Sequence, residues 1–249
     1  MYTFLILLIM IFVPIPIMIK FMIEKKNPYR GIFQGIISSI LAIIFIFIVV
    51  KLQTGTNISN MFGLAFKEAF ELQDSEKLLE ILGLENYSED DLLTFVDDMV
   101  NTMQMIIPSI IIIWTWVIAY LDYLIISKII LKSGVSVSVL QPIRYLTLPR
   151  NSLLGSVIIY LFAYISAYMG IIDKTLIMLN IQILIDFAFS IQGIAVVSYY
   201  LYMRRIPKVL TAIICVLLFF INFGRIILFI LGITEVVFGI RKRLTQKRT

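Results

Sequence analysis

Apolar residues fill this chain in long runs, and most polar positions fall between them. A helix that crosses a bilayer needs about 20 apolar residues. The pattern predicts such helices from Tyr2 to Ile23, from about Gly31 to Val50, from Met105 to Ile126, from Leu153 to Ile172 and from Leu176 to Met203. Pro14 and Pro16 lack amide donors and predict a kink in the first. Short polar turns separate several of the runs: Glu24 to Arg30, Asp173-Lys174, and Arg204-Arg205-Ile206-Pro207-Lys208. The last apolar stretch, Val209 to Ile240, is too long for one span and short for two. Asn222-Phe223-Gly224-Arg225 interrupts it with turn chemistry. Two short spans and a re-entrant hairpin both fit. The expected fold is therefore all-α, a polytopic membrane helix bundle of about seven membrane segments.

Residues 51–104 read differently. Met61, Phe62, Ala65, Phe66, Ala69 and Phe70 recur at helical spacing, which predicts an amphipathic helix. Its apolar face suits the outer lipid surface or the other helices. Ser75 is placed to cap a short helix that Gly83 ends. Ser88 with Asp91 resembles a capping box, with Asp in place of Glu or Gln. Leu92, Leu93, Val96, Val100 and Met103 continue the helical spacing into the third span, which predicts a stalk projecting beyond the membrane. The plain alternative is a solvated linker, yet about fifty residues with three helical patterns exceed what a linker requires.

Composition supports the membrane assignment. The chain has 249 residues, is 60% hydrophobic and has a mean hydropathy of +0.99, against about 45–50% apolar in soluble domains. The net charge of +5 does not indicate nucleic acid, because the basic residues cluster beside apolar runs. Eleven of the sixteen acids fall between Glu68 and Asp98. Placing Lys25, Lys128 and Arg204 inside puts the N-terminus and the acidic segment outside. A single final span would export the basic tail, whereas a pair of short segments keeps it in the cytoplasm. The resulting divisions are two N-terminal membrane helices (1–50), an acidic extracytoplasmic amphipathic segment (51–104), a membrane helix bundle (105–240) and a basic cytoplasmic tail (241–249). The first run lacks a basic leader and an A-x-A-like cleavage site, so it reads as a retained span.

Catalytic chemistry is poorly provided for. There are no histidines, and Cys215 is the only cysteine, within an apolar run. Walker loops, zinc motifs and nucleophile elbows are absent from the sequence. Asp122 in Ala119-Tyr120-Leu121-Asp122-Tyr123 and Asp186 in Leu184-Ile185-Asp186-Phe187 invite an aspartyl-protease reading, but the second lacks the glycine context of such enzymes. No catalytic residue, metal or cofactor is expected.

Polar groups inside spans carry the functional expectation, because a carboxylate at a helix centre costs about 2.5–3.5 kcal/mol and usually faces protein or water. Gln182, Asp186 and Ser190 are spaced by four, with Gly193 on the same face and Gln192 beside it. Glu235 lies in the last segment. These six residues are the candidate ligand site, with Asp122 and Arg225 as polar partners. Arg225 reads as an interfacial anchor or as counter-ion to Asp186 or Glu235. The ordinary use of such groups is hydrogen bonding between helices. Ala163 and Ala167, with Gly170 nearby, permit close helix packing.

The order of several motifs resembles the YybS-like family of predicted bacterial multi-pass membrane proteins. They are Ile106-Ile107-Pro108 opening a span, Arg144-Tyr145-Leu146-Thr147-Leu148-Pro149-Arg150 closing a basic loop, Ser190-Ile191-Gln192-Gly193-Ile194-Ala195, Gly232-Ile233-Thr234-Glu235 and Arg241-Lys242-Arg243. This chain differs in having fewer N-terminal spans and Gly239 where an aspartate is often found. The family resemblance implies a distant analogy to substrate-binding components of energy-coupling transporters. The expectation is a non-enzymatic protein of the cell membrane that binds a small molecule or assists its transport. The alternative is a cell-envelope scaffold, in morphogenesis or sporulation, acting through the acidic segment. Its partners are the lipid bilayer, other membrane proteins or further copies of itself, and a small-molecule ligand, with no nucleic acid.

Overall fold

The computed structural model describes residues 2–55 and 89–242. Among these residues the chain is helical and contains no strand. The helices are α1 (Tyr2–Phe12), α2 (Pro14–Ile23), α3 (Pro28–Thr54), α4 (Glu89–Lys132), α5 (Ser152–Tyr168), α6 (Lys174–Met203), α7 (Lys208–Phe220) and α8 (Asn222–Phe238). The chain divides into two compact units, residues 1–139 and 140–249. The amphipathic helix, the Ser75 cap and the Ser88 box expected within 56–88 lie outside the described residues.

In the first unit, α1 and α2 form one broken span, divided at Val13 immediately before Pro14 and Pro16. The two prolines occupy the opening turn of α2, where missing amide donors cost nothing. α2 ends in a Schellman turn. Lys25 takes φ +50, the Lys26 N–H donates to the Phe21 carbonyl and the Lys25 N–H to that of Met22. The chain then reverses into α3, capped by Asn27 Oδ1 on the Tyr29 N–H. α3 lies close on α2 because Gly31 and Gly35 face it. A Cβ at Gly31 would lie 2.9 Å from Phe21 Cβ, and one at Gly35 2.9 Å from Pro14 Cβ. Small residues four apart permit this approach where no aqueous hydrophobic effect drives helices together. Ile6, Met10 and Ile43 form a buried core with Ile111 and Ile118 of α4 against it.

α4 continues without interruption from Glu89 to Lys132 through Pro108. Its 44 residues extend about 66 Å, roughly twice the hydrocarbon thickness of a bilayer. The helix thus joins the end of the acidic region to the third apolar run without a break. After α4 the chain folds back on this unit. The Ser138 N–H donates to the Met22 carbonyl, and the buried Tyr123 hydroxyl lies 2.9 Å from Ser138 Oγ and 3.1 Å from its carbonyl oxygen.

In the second unit, α5 is apolar on nearly every face, and Ala163 is its only buried residue. It stops at Tyr168, short of the expected Ile172, because Gly170 adopts φ +70 and closes a Schellman turn. α6 starts on Asp173, whose carboxylate caps the Leu176 N–H at 2.8 Å. It ends in another Schellman turn with Arg205 at φ +60, before Pro207.

The expected interruption of the last stretch is present. α7 and α8 meet at an extended Ile221 and diverge by 104°. Gly224 packs on the Leu218 backbone, where a Cβ would overlap the carbonyl. Side-chain contacts trace the path of the pair along α6. Cys215 Sγ lies 3.3 Å from Ser198 Oγ, and the Phe219 ring meets that of Phe187 edge-on, so α7 rises antiparallel to α6. α8 returns from Arg225 beside Asp186 to Arg241, which bonds a loop stacked on Tyr202. The pair thus begins and ends at the same end of α6. Four helices are long and apolar enough to cross a membrane alone: residues 4–23, 28–54, 97–132 and 174–203. α5, with 17 residues, is shorter than this standard.

Candidate functional site

The polar stripe of α6 divides into two halves with different environments. Gln182 is exposed, Asp186 half-buried, and Ser190, Gln192 and Gly193 buried. The division follows from where α8 crosses. A Cβ on Gly193 would overlap the carbonyl of Leu228, and one on Gly232 that of Phe189. Two glycines therefore bring the backbones of α6 and α8 into contact. Ser190 lies in this buried region, its hydroxyl without a hydrogen-bond partner.

Below the crossing, polar groups join α6, the end of α8 and the loop at Arg144, where the Arg144 Nε is buried without a hydrogen-bond partner. Gln192 Oε1 accepts the Leu148 N–H at 2.9 Å. Glu235 accepts from Arg241 twice, from Nε at 2.8 Å and from the backbone N–H at 3.0 Å. Arg241 donates onward to the carbonyls of Arg144 and Leu146, at 2.7 and 2.8 Å. Gly239, at φ +60, turns the chain so that the Arg241 backbone reaches the carboxylate six residues earlier. Both charged side chains are at most 8% exposed. Arg144 stacks over Tyr202 at 4.0 Å, and Tyr145 meets Tyr199 edge-on. A buried carboxylate is tolerated when paired and hydrogen-bonded, as Glu235 is.

Above the crossing lies a second charged pair. Arg225 Nε is 3.3 Å from Asp186 Oδ2, with the side chains 53% and 33% exposed. Asp186 is the thirteenth of thirty residues in α6, about 18 Å from its start. Arg225 occupies the first turn of α8, just past the break at Ile221. Ile221 provides no side-chain cap there, so the positive end of a half-helix lies beside the pair.

The structure therefore joins Asp186 to Arg225, leaves Gln182 exposed one turn away, and places Gln192 and Glu235 in separate internal contacts. Asp122 belongs to the first unit, and its Oδ2 is buried without a hydrogen-bond partner. Sequence reasoning missed Arg241 and Arg144 as partners of the Glu235 region. Gly239 between Glu235 and Arg241 was the available signal, since a glycine after a helix allows the chain to turn back. Among the described residues no group of His, Cys, Asp and Glu is placed to hold a metal ion.

Several long apolar helices, one of them packed against a broken helix pair, define a polytopic helical membrane protein. The chain belongs to the family described as Predicted membrane protein (DUF2232), whose pattern matches residues 1–236. It is also similar to a protein of Bacillus subtilis (strain 168) described as uncharacterized protein YybS, with 23% identity over 222 residues, covering 89% of this chain and 70% of the relative. No solved structure matches it.

Proposed function

We propose that this non-enzymatic membrane protein binds a small polar molecule at the Asp186–Arg225 pair, as a component of a transport process. The carrying observation is that a charged pair near the middle of a membrane helix lies at the protein surface and is not enclosed within it. Hydrocarbon is a costly surrounding for such a pair, which favours a water-filled or ligand-filled face. Broken helices that end near mid-membrane commonly serve such sites, with the half-helix N-terminus directed at a negative group. Arg225 and the start of α8 suit an anionic group, Asp186 a cationic one, and Gln182 adds a neutral donor and acceptor. In this reading Gln192, Gly193 and Glu235 position the helices, and the ligand contacts Gln182, Asp186 and Arg225. In the same reading the N-terminus is outside and the C-terminus cytoplasmic, which the clustering of Lys25, Lys128, Arg204 and the basic tail beside apolar runs supports.

The test is accessibility. In a Cys215→Ser background, Asp186→Cys should react with a membrane-impermeant charged thiol reagent at least about tenfold faster than Ile158→Cys on α5, since the thiolate that reacts forms in water and not in lipid. Equal protection of both would remove the proposal. Asp186→Asn should also change the set of small molecules that co-purify with the protein.

A second reading rests on the uninterrupted α4, which continues into the acidic region. A stalk of this kind suits an envelope interaction protein. Replacing residues 57–101 by a neutral linker would abolish that role and leave reactivity at position 186 intact.

A further inference from the structure

The two Schellman turns that carry basic residues use their charges differently. In the first unit, Lys26 Nζ lies 2.6 Å from Glu24 and 5.4 Å from the centre of the Phe21 ring, and Asn27 caps the next helix. The hydrogen bond from Lys26 holds the Glu24 carboxyl below its ordinary range. That turn neutralises part of its own charge. In the second unit no acid occurs between Asp186 and Glu235, and those two face Arg225 and Arg241. Arg204 folds onto Tyr200, with Nε and a terminal nitrogen 3.2 and 3.0 Å from the hydroxyl. Arg205 and Lys208 have no ion-pair partner among the described residues.

Arg205 and Lys208 border an open cleft of about 460 Å³, completed by Tyr202, Met203, Ile206 and Pro207. The left-handed backbone at Arg205 reverses the chain between α6 and α7, which is what places both cations around one cleft. Met203, Ile206 and Pro207 supply apolar surface beside them.

We infer that this cleft binds a phosphate-bearing anion, contacted by Arg205 and Lys208, and that the source is the headgroup of an anionic lipid. Phosphate offers several strong acceptors to guanidinium and ammonium donors. Basic pockets at the ends of membrane helices match the depth of lipid headgroups, and the apolar wall matches the glycerol and the upper acyl chain. This inference is independent of ligand binding at Asp186.

The experiment uses the full chain in detergent, with native mass spectrometry of retained phosphatidylglycerol against phosphatidylcholine. The wild type should retain phosphatidylglycerol preferentially. Arg205→Asn with Lys208→Gln should reduce that retention about thirtyfold, at about 1 kcal/mol for each charge removed. Asparagine is chosen because it tolerates the left-handed conformation. Lys25→Asn with Lys26→Gln should leave retention unchanged. If the double variant unfolds, Lys208→Gln alone, in the exposed first turn of α7, should still weaken retention about fivefold. Equal retention of the two lipids, or undiminished phosphatidylglycerol in folded variants, would overturn the inference. Inorganic phosphate is the second probe. If it raises the thermal midpoint of the wild type and not of the variants, while no lipid preference exists, the source is a soluble phosphate and the lipid assignment fails.

Discussion

The two units solve the same problem with different chemistry. Each must hold a returning segment of chain against its helices. The first does so with a neutral hydroxyl, Tyr123 on Ser138, and with glycines that face side chains. The second uses a buried carboxylate, an arginine and two backbone carbonyls, and its glycines face backbone. The difference lies at the end of α8, where Gly239 turns the chain and Arg241 reaches back to Glu235. The second unit carries the more demanding polar contacts and the tighter helix crossing.

That contrast predicts a ranking of mutational effects, measured as thermal or denaturant unfolding of the protein in detergent. The largest effect should come from Glu235→Ala, which leaves Arg241 buried without its carboxylate and should cost about 3–5 kcal/mol. Replacing both partners, as Glu235→Gln with Arg241→Met, should recover much of this loss. A double variant no more stable than Glu235→Ala would show that the carbonyl contacts of Arg241 dominate.

Next comes the glycine comparison. Gly232→Ala forces a Cβ into the backbone of α6 and should cost about 1–3 kcal/mol, as overpacking does. Gly35→Ala should cost less. The nearest atom to its Cβ would be Met18 Cε at 2.7 Å, the movable end of a flexible side chain, although Pro14 Cβ at 2.9 Å limits the relief. Equal costs would erase the distinction between backbone and side-chain contact. Smallest is Tyr123→Phe, which removes one neutral hydrogen-bonding group and should cost about 1 kcal/mol. A loss as large as that of Glu235→Ala would contradict the contrast between the units.

Much of the architecture was legible in local pattern. The apolar runs mark the long helices because lipid requires contiguous apolar side chains and satisfied backbone groups. Asn222-Phe223-Gly224-Arg225 marked the break because turn chemistry depends on neighbouring residues. Gly170 was legible as a small residue but read as a packing surface, and its left-handed conformation instead shortened α5. The candidate site was only partly legible. Asp186 was visible as a carboxylate in an apolar run, and Arg225 as one of two kinds of group, anchor or counter-ion. The structure pairs them. Gln182, Asp186, Ser190 and Gly193 share a helical face, yet α8 crosses that face below Asp186 and divides it.

Hydropathy, charge and turn residues by themselves determined that this protein is a polytopic helical membrane protein, where its helices lie and where the last one breaks. Those properties depend on residues close together in the chain. Only the tertiary structure decided that the broken pair returns along α6, that Arg225 meets Asp186, and that Glu235 belongs to Arg241 and the loop at Arg144. Those choices depend on which helix faces cross and how closely glycine lets them approach, and the spacing of residues along one helix carries neither quantity.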